Sequence, residues 1–160
     1  MNVFGQRQHP EKFIPMCIRK VNDGDAITIH SDATRTIPGS RFYIHAADVA
    51  DAMMFLLKLD DTKLEPDYGD ARCPKFNLVG KQEINNLQLA QIIADAQGKE
   101  LKYEMMDFHS ARPGHDLRYA LDGDYMRKLG WEPKVELTER IGEVVDWTLQ
   151  NDRWLRCEDL

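Results

Sequence analysis

The segment Arg112-Pro113-Gly114-His115-Asp116-Leu117-Arg118-Tyr119 gathers three cationic or potentially cationic side chains around one Pro-Gly pair. A Pro-Gly pair sets a tight loop. Arginine and histidine projecting from such a loop can make bidentate, charge-assisted hydrogen bonds to phosphate oxygens. The chain as a whole is acidic, with a formal net charge of -6. That balance disfavours a nucleic-acid face and favours one small anion in a local pocket. Taken alone, the same cations could simply pair with Asp107 or Asp116, as weak surface ion pairs do. Arg41 and the 9–12 segment, which adds Lys12, shift the balance toward anion binding.

Other candidate chemistry is weaker. Asp107, His109 and His115 fit no standard zinc spacing, so no metal is expected. Trp131, Trp147 and Trp154 read as packing residues, because an acidic chain offers no electrostatic funnel for single strands. Tyr43 and His45 read as core or half-buried packing residues. Cys17, Cys73 and Cys157 are odd in number and outside any Cys-x-x-Cys pattern. They are expected to be free thiols in a reducing compartment, which makes the cytoplasm the expected location. No apolar run approaches the roughly 20 residues needed to span a bilayer, and the start of the chain lacks the basic flank and apolar stretch of a signal peptide.

At 160 residues the chain is long enough for one domain with a real core. Asn2-Val3-Phe4-Gly5 reads as the end of a strand running into a glycine turn. Apolar residues over 11–21 suit a helix, with Pro15 in its first turn. Residues 22–25 form a turn, and β-branched alternation over 26–30 predicts a strand. A polar loop over 31–40 leads to a second strand at 41–45. A helix over 46–58 places Val49, Met53, Leu56 and Leu57 on one face. Residues 60–74 read as an acidic surface loop, and Phe76-Asn77-Leu78-Val79 as a strand. Asn85 with Gln88 predicts a capping box for a helix whose core face is Leu89, Ile92, Ile93 and Ala96, ended by Gly98. A strand over 101–106 follows, then the Arg112 loop. A short helix over 122–129 is stopped by Gly130, and Thr138 is expected to cap a final helix facing inward through Ile141, Val144, Val145, Thr148 and Leu149. Alternating strands and helices place the chain in the α/β or α+β class. It contains neither Gly-x-Gly-x-x-Gly after a strand nor a Gly-x-x-x-x-Gly-Lys loop, the usual cradles for a dinucleotide or a triphosphate.

Taken in order, these segments resemble the carboxyl-terminal half of extended short-chain dehydrogenase/reductases of the NAD-dependent epimerase/dehydratase family, closest to the dTDP-glucose 4,6-dehydratase group. The resemblance rests on Asn2-Val3-Phe4-Gly5 followed by Gln8-His9-Pro10-Glu11-Lys12-Phe13-Ile14-Pro15, and on Arg41-Phe42-Tyr43-Ile44-His45-Ala46-Ala47-Asp48-Val49-Ala50. It continues through Phe76-Asn77-Leu78-Val79-Gly80, Arg112-Pro113-Gly114-His115-Asp116 with Arg118-Tyr119-Ala120-Leu121-Asp122, and Leu129-Gly130-Trp131-Glu132-Pro133. The fold it implies is α/β: partial Rossmann-sheet strands plus the small substrate-binding domain. Residues 1–160 would then form a single sugar-nucleotide-binding domain without the NAD-binding Rossmann domain.

The resemblance also implies roles for individual residues. Asn2, Glu11, Lys12 and Phe13 belong to the segment expected to face the hexose and diphosphate. Thr28 and His30 are expected against the nucleobase, with His30 standing where the dTDP-glucose dehydratases carry tyrosine. Arg41, Arg112 and His115 are expected to hold the diphosphate, and Gln82 to make a polar contact nearby. The family's catalytic Tyr-x-x-x-Lys has no counterpart here, since Tyr43, Tyr68, Tyr103, Tyr119 and Tyr125 are each followed four places on by another residue. Hydride transfer needs a nicotinamide and a general acid/base held against the sugar. The expectation is therefore a nucleotide-sugar-binding portion that is not catalytic by itself, with NAD carried elsewhere in a complete enzyme and no cofactor bound by this chain alone. A separate amino-terminal NAD-binding chain would be its partner, and exposed apolar edges are expected near 2–5 and 76–79. Self-association, if present, would use a surface unlike the family dimer. The alternatives are a free-standing nucleotide-sugar binding protein and a structural or interaction remnant. No nucleic acid or membrane partner is expected.

Overall fold

A computed structural model of the chain describes residues 2–60, 64, 74–108 and 116–156. Strand β1 (Asn2–Phe4) leads through the Gly5 turn to helix α1 (Phe13–Asp23), with Pro15 in the first turn, where its missing N–H leaves no bond unmade. The helix runs into the expected turn and closes on Gly24, a left-handed C-cap at φ 77°. Strand β2 (Ile27–Ser31) buries Ile27, Ile29 and Ser31 and leaves Thr28 and His30 on its other face.

Strand β3 (Ser40–His45) is the hub of the larger sheet. It pairs in parallel with β1 through Tyr43, Ile44 and His45, and antiparallel with β4 (Glu83–Asn85) through Ser40, Arg41 and Phe42. Through Ser40 and Arg41 it also pairs in parallel with the two-residue β6 (Arg118–Tyr119). Strand β5 (Tyr103–Asp107) pairs in parallel with β2 to make a separate two-stranded sheet. Helix α2 (Ala46–Leu57) follows β3 directly, and α3 (Asn86–Ala96) follows β4 with the expected Asn85–Gln88 capping box. Helix α4 (Asp124–Leu129) ends on Gly130, and α5 (Leu137–Leu149) and α6 (Arg153–Arg156) complete the described chain. The architecture is mixed α/β with parallel strands, as the sequence predicts.

Two apolar clusters flank β3, because its side chains alternate between faces. Tyr43 joins the main cluster with Ile18, Ile27, Ile29, Leu89, Ile93, Ile141 and Val145. Ile44 joins the second cluster with Ala52, Met126 and Trp131. Among the described residues no helix is long and apolar enough to cross a membrane.

Several expectations are corrected. Phe76-Asn77-Leu78-Val79 forms no strand. Its apolar side chains still face a layer: Phe76 and Leu78 pack on the second cluster, and Phe76 stacks on Tyr125. The alternation thus reports a packed segment without a hydrogen-bonded ladder. Helix α2 turns a different face inward. Its buried residues are Asp48 and Ala52, with Val49, Phe55 and Leu56 packed beside them, while Met53, Met54 and Leu57 are exposed. Asp48 is drawn inside by an ion pair to Arg140 at 2.9 Å, which an apolar-face count cannot register. The N-cap of α5 is Glu136, and Thr138 lies inside the helix. Ala96 is exposed and Leu149 largely so. Strands β4 and β6 and helix α6 are additions to the predicted elements. The predicted 60–74 loop lies almost wholly outside the described residues.

The Asp48–Arg140 pair locks α2 to α5, with Asp48 8% and Arg140 17% exposed in their side chains. Removing one member of a buried pair strands the other charge. Asp48→Ala is expected to cost about 3 kcal/mol in urea unfolding. Glu143→Ala, which removes Arg140's outer partner at 3.0 Å, should cost less than about 1 kcal/mol.

Candidate functional site

Strand pairing and the turn after β1 build a cleft of about 340 Å³ lined by Asn2, Gln8, Lys12, Phe13, Ile14 and Tyr43, among others. Asn2 lies opposite Tyr43 in the β1–β3 ladder. Lys12 is the N-cap residue of α1, and its backbone N–H donates to the His9 carbonyl at 2.9 Å, which fixes where the lysine leaves the turn. The Tyr43 hydroxyl donates to Asn86 Oδ1 at 2.8 Å, and burial pushes its pKa up to about 12, so it stays protonated at neutral pH. Gln8 donates to the Val3 carbonyl at 3.2 Å and closes the cleft's end. The cleft therefore combines one cation, an amide pair, a neutral phenol and an aromatic wall. This is a lining that suits a polar ligand with a ring to stack.

Arg41 lies two residues before Tyr43 and so on the same face of β3. Its Nη1 donates to the carbonyls of Ser40 at 2.6 Å and Leu117 at 2.7 Å, and its Nη2 to that of Asp116 at 2.8 Å. Around the neighbouring Gly39 the chain is tight. Its N–H donates to the His30 carbonyl at 3.0 Å, and an added Cβ would sit 3.1 Å from the Leu117 oxygen. Arg41, the backbone of His30 and residues 116–117 thus converge at one point.

The remaining predicted residues are placed separately. Glu11 is exposed, beside His9 at 3.9 Å, and does not line the cleft. Thr28 donates to Glu104 Oε1 at 3.1 Å across the β2–β5 ladder, and the His30 ring meets Phe108 edge-on at 5.8 Å. Gln82 borders a narrow crevice that shares Phe4 and Tyr43 with the cleft. Arg112 and His115 lie outside the described residues, as do Pro113, Gly114, His109, Cys73 and Cys157. Tyr43, Gln8 and Asn86 are site residues that the sequence reading passed over. Tyr43 alternates with Arg41 along a predicted strand, and that period was the available clue. A larger groove of about 510 Å³ lies elsewhere, between Phe42, Asn77, Lys81, Arg127 and Trp131. Its cations are already paired, Lys81 with Glu136 and Arg127 with Asp124.

A parallel strand pair turning into helices at its carboxyl ends, with an arginine and a polar cleft beside it, defines a Rossmann-like α/β protein. The comparisons with known proteins agree. Residues 1–68 match the NAD dependent epimerase/dehydratase family. It is 31% identical over 151 residues to the low-salt glycan biosynthesis protein Agl12 of Haloferax volcanii, covering 94% of this chain and 44% of that protein. It is 32% identical over 162 residues to the dTDP-D-glucose 4,6-dehydratase of Mus musculus, covering 98% and 42%. Its fold matches the crystal structure of the dTDP-glucose 4,6-dehydratase of Streptomyces venezuelae with NAD and TYD bound, at a TM-score of 0.71 and 27% identity, covering 98% of this chain and 44% of that one. The chain thus spans less than half the length of these relatives.

Flanking the site, Asp32 holds the 31–38 loop. Its Oδ1 accepts from the Thr36 and Ile37 amides at 2.9 and 2.8 Å, and its Oδ2 from the Thr34 hydroxyl. The Thr34 bond, followed by the backbone amides, lowers its pKa from the ordinary 3.8 to about 2. A depressed carboxylate stabilises fully above its unfolded value and loses that contribution as pH falls through the folded one. Carboxyl carbon NMR should therefore show Asp32 titrating near 2. The Thr36 and Ile37 amides should stay protected down to that pH in the native protein and lose protection in Asp32→Ala at all pH values.

Proposed function

We propose that this chain is the nucleotide-sugar-binding portion of an NAD-dependent dehydratase or epimerase, with the sugar diphosphate as its ligand. The observation that carries this reading is the juxtaposition on one face of β3 of Arg41 and the Asn2–Lys12–Phe13–Tyr43 cleft. Arginine suits a diphosphate, and an amide, an ammonium and an aromatic wall suit a hexose. The family match and the names of the relatives support the ligand class. Arg112 and His115 would complete the cationic ring around the diphosphate, and Thr28 and His30 would face the base.

NAD does not fit the described residues. A dinucleotide pyrophosphate needs backbone amides at a glycine-rich strand-to-helix turn. Here the β3–α2 turn has no glycine, and its cap is the His45 ring, whose Nδ1 accepts from the Ala47 amide at 3.2 Å. The β1–α1 turn contains only Gly5 and is a longer excursion. We therefore place NAD, and the catalytic tyrosine and lysine, with the part of the family's length that this chain does not span. On this reading the chain binds its ligand but performs no redox step alone.

Calorimetric titration with dTDP-glucose, UDP-glucose and GDP-mannose tests the reading. At least one should bind, and Arg41→Ala or Arg112→Ala should weaken it by about 1.5–3 kcal/mol, the worth of a charged hydrogen bond. Absence of binding to all three would contradict the proposal.

A further inference from the structure

Residue Glu83 has no role in the binding account so far, yet it sits at the centre of the contacts that hold Arg41. Arg118 grips it with both arms of the guanidinium, Nε to Oε1 and Nη2 to Oε2, each at 2.8 Å. Ser40 Oγ donates to the same Oε1 at 2.5 Å. These bonds join β4, β6 and β3 across the strand that carries Arg41. Ser40 is bound three ways: its hydroxyl to Glu83, its N–H to the Leu117 carbonyl at 3.0 Å, and its carbonyl to Arg41 Nη1. Leu117 immediately precedes Arg118, and its carbonyl also accepts from Arg41. Whatever moves Arg118 therefore moves two of the three oxygens that orient the Arg41 guanidinium.

The donor count gives this geometry a consequence. Guanidinium carries five N–H donors in a fixed plane. Nη1 spends both of its donors on Ser40 and Leu117, and Nη2 spends one on Asp116. The second Nη2–H and Nε–H have no partner among the described residues. Nε–H and the Nη2–H beside it form the bidentate edge by which a guanidinium matches two oxygens of a phosphate or carboxylate. The carbonyls thus lock three donors and aim the remaining pair.

We propose that Glu83, acting through Arg118 and Ser40, is a positioning residue that sets the direction of Arg41's remaining anion-binding edge. The bidentate pair is largely at the surface, with the Arg118 side chain 64% exposed, so its contribution to global stability is small. Its effect falls on a guanidinium whose three carbonyl partners come from segments that it ties together. For its ligand readout the proposal rests on the function proposed above. For its mechanical claim it does not.

Two measurements on Glu83→Gln, Arg41→Ala and the double variant separate these claims. The first follows the two Arg41 Nη1–H signals by NMR with no ligand present. Held by the Ser40 and Leu117 carbonyls, they should be distinct, slowly exchanging resonances in the native protein and should broaden or average in Glu83→Gln, with the melting temperature almost unchanged. The second is calorimetry with dTDP-glucose. Glu83→Gln should bind about tenfold more weakly than the native protein, the scale of a charged hydrogen-bond network. Glu83→Gln should add less than about twofold to the loss already caused by Arg41→Ala, because coupled residues are not additive. An unchanged Arg41 signal in Glu83→Gln would overturn the proposal, and so would an equal loss of affinity in the native and Arg41→Ala backgrounds. If dTDP-glucose fails to bind the native protein, the binding function falls for that ligand, and the Arg41 signal alone decides the positioning claim.

Discussion

The six residues of β3 carry the obligations of three partner strands. Backbone amides and carbonyls away from water must be paired, and β3 meets this by giving its second half to β1 and its first half to β4 and β6. Its side chains are divided in the same way. Tyr43 closes the main cluster, Ile44 closes the second, and His45 caps the helix that follows. A register slip of one residue would exchange these faces and carry Arg41 and Tyr43 together away from Asn2 and the cleft. The fold and the candidate site therefore depend on one pairing register.

That register is reinforced from outside the strand. The Asp48–Arg140 pair fixes α2 against α5, and Gly80 passes so close to β3 that any Cβ would collide with the Tyr43 carbonyl. At the other end, Glu83, Arg118 and Ser40 bind the short β6 to β4 and β3. Acid weakens this second clasp. The Arg118 bond, followed by that of Ser40, holds the Glu83 carboxyl below its ordinary range, so the contribution is present above that range and is lost as pH falls through the lowered value.

Local rules made much of the fold legible. The Asn85–Gln88 capping box, the Pro15 entry to α1 and the Gly130 stop of α4 are each determined by a few neighbouring residues, and each stands where it was expected. What the sequence withheld depends on contacts between distant residues. Asp48 counts as polar until Arg140, 92 residues later, takes it into the interior. Phe76 and Leu78 show strand alternation but pack without a ladder, and two-residue β6 is too short for any periodicity. The site divides similarly. Asn2, Lys12 and Phe13 come from two neighbouring segments, 2–5 and 8–15, and line one cleft. Arg41's engagement with the 116–117 carbonyls could not be inferred from either segment alone.

On the proposed function, β3 would be the platform on which a sugar diphosphate is read, with the cleft at one end and Arg41 toward the other. A crystal structure of the protein with a bound nucleotide sugar tests this most directly. The account predicts the hexose between Asn2, Lys12 and Phe13, the diphosphate on the outer edge of Arg41, and the base toward Thr28 and His30. Ligand density in the groove between Phe42, Lys81, Arg127 and Trp131, with Arg41 bonded only to its three carbonyls, would contradict it.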